Sequence, residues 1–185
     1  MLEIEINSGE CFDSDKNEFI KIKPITLQLE HSLISISKWE SKWHKPFIQS
    51  SNNLKKDEII DYIKCMTISP GKLDDTVYYF LSQKNINDII DYIRNPMTAT
   101  WFKEDEKKSR SKDIITSELI YYWMVALQIP FECQKWHLNR LLTLIRVCNA
   151  KNEESNPNRK LNKKDLMSRN AALNAQRKAK LHTRG

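Results

Sequence analysis

Three glycines in 185 residues constrain this chain more than any other single feature. Tight hairpin turns need positions with positive φ, and glycine takes them without steric cost. So few glycines disfavour an all-β fold built on many such turns. They are also too few for a glycine-rich phosphate loop. The chain instead repeats apolar residues at helical spacing. Leu29, Leu33, Ile36 and Trp43 share one face, with Trp39 beside them, and Thr26 or Ser32 is the candidate N-cap. Ile59, Ile60, Ile63 and Met66 mark a second helix. After a short helix over Asp74 to Leu81, Asn85 caps another, in which Ile86, Ile89, Ile90 and Ile93 recur at i, i+3, i+4 and i+7. Glu118 to Leu127, capped by Thr116 or Ser117, is apolar nearly all round and reads as the central buried helix. A last helix, from Phe131 or Glu132, carries Leu138, Leu141, Leu142, Ile145 and Cys148.

Only the N-terminus alternates with the period of a strand. Leu2, Ile4 and Ile6 fall on one side and Glu3 and Glu5 on the other, and a second alternation covers Phe19 to Lys23. The acids of the first segment and the lysines of the second could pair across an antiparallel ladder. Residues 2–23 therefore read as a β-hairpin with a long or irregular loop. Two strands are marginal alone, so the hairpin needs support from the helical body or another chain.

Charge divides the chain. Lys151 to Gly185 holds ten Lys or Arg against three Asp or Glu, while residues 1–150 are close to neutral. The tail has no aromatic residue. Asn149 to Asn162 reads as a linker, and from Lys163 the composition allows a helix with the sparse apolar line Leu166, Leu173 and Leu181, marginal in water without a partner. The expected architecture is mostly α: a single helical domain over 1–149 with an N-terminal β-hairpin at about 2–23, then a basic, partly helical C-terminal extension over 150–185.

The residues offer little chemistry. Cys11, Cys65, Cys133 and Cys148 form no C-x-x-C pair and lie in or beside apolar runs, so they read as core thiols of a reducing compartment. His31, His44, His137 and His182 show no metal-ligand spacing, and no metal or cofactor is expected. Cys133 and His137 are four apart, a spacing that suits a thiolate and its base, but core packing explains the same face more simply. Glu118 and Glu132 read as helix-dipole partners rather than as an acid/base pair. No catalytic residue is assigned. No apolar run approaches the roughly 18 residues needed to span a bilayer, so no membrane partner is expected, and the protein is expected to be soluble and intracellular. The basic residues Arg169, Arg177, Lys178 and Lys180 could neutralise phosphates, but no aromatic residues accompany them for base stacking, which makes nucleic acid the weaker reading. Five tryptophans in one small body leave room for an exposed apolar surface, with Trp39, Trp43 and Trp101 as candidate partner anchors.

Several runs carry a resemblance: Leu27 to Phe47 (LQLEHSLISISKWESKWHKPF), Asp61 to Met66 (DYIKCM), Pro96 to Phe102 (PMTATWF), Ile114 to Leu144 (IITSELIYYWMVALQIPFECQKWHLNRLLTL) and Arg169 to Gly185 (RNAALNAQRKAKLHTRG). In combination they resemble the tail assembly chaperones of long-tailed, siphovirus-type bacteriophages. The resemblance implies a non-enzymatic protein of the host cytoplasm that binds the helical tape-measure protein and keeps it soluble. It also implies help in gathering tail-tube subunits, and absence from the finished virion. Many members are made in two lengths through a programmed frameshift, and the ending Thr183-Arg184-Gly185 fits a short form or a protein with one form only. Self-association stays open. Two other classes stay open as well: a structural virion protein, such as a head–tail connector or tail-completion subunit, and a nucleic-acid-binding accessory protein acting through the basic tail.

Overall fold

The computed structural model describes residues 1–13, 17–69, 73–102, 114–155, 167–168, 170–174 and 176–177. They form a mostly α protein with an antiparallel ribbon at the N-terminus. The strands are β1 (Leu2–Ile6), β2 (Gly9–Asp13), β3 (Glu18–Ile22) and β4 (Ile25–Leu29). The α-helices are α1 (Leu33–Trp43), α2 (Phe47–Ser50), α3 (Lys56–Met66), α4 (Gln83–Arg94), α5 (Ser117–Ala126) and α6 (Leu138–Ser155). Short 3-10 helices cover Ser51–Asn53, Asp75–Phe80 and Phe131–Lys135. The chain divides into two compact units, Met1–Arg146 and Val147–Gly185, with α6 beginning in the first and ending in the second.

The ribbon is longer than the expected hairpin and paired differently. β1 pairs with β4, and β2 with β3. Ile6 faces Ile25 and Gly9 faces Ile22, so one register runs through both ladders. The break between them falls at Pro24, which has no N–H to donate. Glu3 therefore meets Gln28, whose side-chain amide donates to it at 3.1 Å, and Glu5 lies opposite Thr26 rather than a lysine. Among the described residues the one acid–lysine pair across the ribbon is Glu10 with Lys21, at 3.3 Å. Leu29 fits helical spacing with Leu33 and Ile36, yet it also alternates with Ile25 and Leu27. The strand wins because Ile4, Ile6, Leu27 and Leu29 bury one ribbon face together. Thr26 is thus a strand residue, and Ser32 caps α1.

The inner half of the ribbon has both edges occupied. Ile68 N–H donates to Gln28 O at 2.8 Å and Glu30 N–H to Met66 O at 2.9 Å, while the Asn85 side chain donates to Glu5 O at 3.2 Å. Gly9 lies at the break. A Cβ there would come within 2.6 Å of the Phe80 ring, so glycine lets the 3-10 helix pack directly on the strand. The outer half carries Phe12 and Phe19, exposed and edge-to-face at 5.1 Å. With glycine scarce, left-handed positions fall to Asn17, His44, Met97 and Gln128, each costing about 1 kcal/mol.

The central helix is α1, not α5. Leu33, Ile36 and Trp39 of α1 are fully buried, and α1 packs against α2, α3, α5 and the third 3-10 helix. Tyr122 and Val125 of α5 are 65% and 60% exposed, although Ile120 and Met124 on its other face are buried. The apolar residues of α5 exceed what one packed face can cover, so the excess meets solvent.

Caps set several helix starts. The Ser32 hydroxyl accepts from Ser35 N–H at 3.3 Å. Ser32→Ala should lower stability by about 1 kcal/mol, read from a urea midpoint. An unchanged midpoint would mean that the backbone contacts of residues 30–32 hold the start of α1 without the cap. Helix α4 is capped by Ser82, with Asn85 reciprocating from the third position, so Asn85 is not the cap itself. The segment Phe131–Lys135 is a 3-10 helix, and the last helix of the first unit starts later, at Leu138. That helix runs on to Ser155, through residues read as the beginning of a linker; Ala150, Lys151, Glu153 and Glu154 are good enough helix formers to continue it. In the second unit the described residues between 167 and 177 are helical, with Leu173 exposed, while Leu166 and Leu181 lie outside the described residues.

Candidate partner-binding groove

An open apolar groove of about 560 Å³ lies between α3, α4 and the 3-10 helix Asp75–Phe80. One wall is Ile59, Ile60 and Ile63 of α3. The opposite wall is Ile86 and Ile90 of α4, and Tyr78, Tyr79 and Leu81 close it between them. Lys56 and Gln83 complete the lining.

Both α3 and α4 carry more isoleucine than one core-facing stripe needs. Neighbours on a helix differ by about 100° in direction, and in α4 the adjacent pair divides, Ile89 being buried and Ile90 partly exposed along the groove with Ile86. In α3 Ile59 and Ile60 both line the groove, partly exposed, while Ile63, which also lines it, is buried. Polar bonds fix the third wall. Tyr78 donates its hydroxyl to Thr67 Oγ1 at 3.0 Å, and Lys64 pairs with Asp75 at 2.9 Å. Burial opposes the Lys64 charge, but the bonded Asp75 carboxylate outweighs it and raises its pKa above the usual lysine value.

The anchors expected from sequence do not gather there. Trp39 is fully buried; its indole N–H donates to Glu58 O at 3.0 Å, so a docking partner cannot reach it. Trp43 stacks on Trp39 at 6.2 Å, half-buried between the Lys42 and Lys45 ammonium groups, each 5.8 Å from its ring. Its indole N–H meets no acceptor among the described residues. Trp101, 84% exposed, lies in the segment after α4 and joins no ring contact among the described residues. Of the basic candidates, Arg177 is exposed on the helical part of the second unit, and Arg169, Lys178 and Lys180 lie outside the described residues. The groove residues were missed because a tryptophan cluster draws attention as a platform. The legible signal was an apolar arc on α3 and α4 wider than one core-facing stripe.

A buried polar assembly joins the ribbon to three helices. His31 Nδ1 and the Tyr62 hydroxyl share a hydrogen bond, and the His31 and His137 rings lie edge-to-face at 5.0 Å. Tyr92 donates its hydroxyl to Glu30 at 2.7 Å, and the Tyr92 carbonyl accepts from His137 Nε2 at 3.0 Å. Asn139 N–H donates to His137 Nδ1 at 3.3 Å. Both nitrogens of His137 are thus held by backbone groups, and burial raises the Cys133 thiol above its usual pKa. The spacing of Cys133 and His137 builds no thiolate–base pair.

Cys65, Cys133 and Cys148 are free thiols. Among the described residues no cluster of three or more His, Cys, Asp or Glu could hold a metal ion, and no helix is long and apolar enough to cross a membrane. Compared with known protein families, curated proteins and solved structures, the chain matches none.

Proposed function

We propose that this protein is a phage tail assembly chaperone, which binds the tape-measure protein, keeps it soluble and helps recruit tail-tube subunits in the host cytoplasm. The observation that carries the reading is the open isoleucine-walled groove on a helical body. A long helical partner that has not yet assembled exposes apolar stripes that aggregate. A groove lined by two helices and two tyrosines receives such a stripe through i, i+3, i+4 and i+7 anchors. Shallow burial keeps attachment reversible, as a chaperone requires. The basic extension, Arg177 included, adds long-range attraction to acidic segments of a partner. The sequence resemblance supplies the partner's identity.

Co-expression with the tape-measure protein encoded nearby tests the reading. Soluble tape measure should rise several-fold with the wild-type chain. Ile60→Glu, which places a charge on the groove wall, should abolish the gain while leaving the circular dichroism spectrum unchanged. Equal tape-measure solubility with and without the protein would reject the chaperone reading. Stoichiometric protein in purified virions would favour a structural subunit instead.

A further inference from the structure

We infer that the groove selects helices carrying an acidic side chain one turn beyond their apolar stripe, and that Lys56 reads that acid. The inference rests on the docking role proposed for the groove. On α3, Lys56, Ile59, Ile60 and Ile63 stand at i, i+3, i+4 and i+7, so the ammonium continues the partly exposed Ile59 and Ile60 at one end, with the buried Ile63 at the other. From Lys56 to Ile63 the helix rises about 10.5 Å, the length of an i to i+7 stripe on an occupant. Among the described residues Lys56 is the one charged side chain that lines the groove, and none of them pairs with it. Three other lysines are already engaged. Lys64 is taken by Asp75, Lys45 by Glu58 and Lys42 by Asp61. The Gln83 amide donates to Asn87 at 3.1 Å, and the Tyr78 hydroxyl to Thr67, so those lining groups already have partners. Among the described residues the groove therefore presents apolar walls and one cation without an ion-pair partner. Its complement is an amphipathic helix with leucine-like anchors and a carboxylate at one end. A lysine in the carboxylate's place would meet like charge.

The probes are two fluorescein-labelled helical peptides of 18 residues, identical except at the positions one turn beyond either end of a Leu stripe at i, i+3, i+4 and i+7. One carries Glu there and the other Lys. Anisotropy titration of the full chain should show the Glu peptide binding about threefold to fivefold more tightly, a margin that shrinks as salt is raised. Lys56→Glu should reverse the order, and Ile60→Glu should remove binding of both. If the wild type binds both peptides equally, the groove still docks helices and the role of Lys56 is overturned. If neither peptide binds, the docking role falls together with it.

Discussion

Glu40→Ala is expected to cost about 4 kcal/mol of folding stability, a large share of the 5–15 kcal/mol typical of a domain. The Glu40 carboxylate is buried at the end of α1, with one oxygen accepting from Phe47 N–H and the other from Ser117 N–H, each at 2.8 Å. One side chain thus ties the starts of α2 and α5 to the central helix, across 77 residues of sequence in the second case. Alanine would leave two buried N–H groups without acceptors, at about 1–3 kcal/mol each, and would open a void beside them. Glu40→Gln should fall between wild type and alanine, because an amide offers one acceptor oxygen and turns an NH₂ toward the other donor. Urea unfolding followed by circular dichroism measures all three proteins. A loss below 1 kcal/mol for the alanine variant would show that α2 and α5 are placed without Glu40.

Acid is expected to unfold the protein through its buried histidines. Burial, reinforced by neighbouring His137, lowers the His31 pKa from 6.5 to about 3. His137 is lowered as well, again mainly by burial, against the Tyr92 carbonyl bond and the Glu30 charge, which raise it. Between pH 3 and 6.5 the unfolded chain binds a proton at His31 that the folded chain refuses. Stability therefore rises with pH in that window and falls as pH drops below 6.5. Each pH unit costs about 1.4 kcal/mol at His31, which therefore removes about 2 kcal/mol at pH 5. The groups facing His31 are Tyr62, His137 and Phe47, none of which supplies a carboxylate to hold an imidazolium. Urea midpoints should stay nearly level from about pH 7.5 to about pH 6.5 and then decline steadily to about pH 4.5. His31→Gln should start lower at pH 7.5, having lost packing against Tyr62, and decline less steeply. Identical slopes for the two proteins would remove His31 as the source of the acid sensitivity.

Both effects originate in contacts between residues far apart in the chain, and this separates what was legible from what was not. The helices carrying Ile59 to Met66, Ile86 to Ile93 and Ser117 to Ala126 are written locally, because apolar spacing and caps act within a few residues. The alternation of Leu2, Ile4 and Ile6 is equally local, but their partner strand is not. Two segments alternate downstream, and pairing went to Ile25–Leu29 because those residues complete a buried face and Pro24 interrupts the ladder. The tryptophans show the same divide. Trp39, Trp43 and Trp101 look alike in sequence, yet one is core, one is half-covered by lysines and one stands in solvent.

Local order alone thus settled that this chain would be helical, near-neutral over residues 1–150 and basic at its end, since scarce glycine, helical periodicity and side-chain charge need no distant neighbour to act. Tertiary packing decided which helix lies at the centre, which isoleucines face the core and which line the groove, and where Glu40 and His31 find their partners. An apolar residue states only that it will leave water if it can. Which surface receives it depends on the area each neighbouring element has left uncovered, and that is set only when all the elements meet.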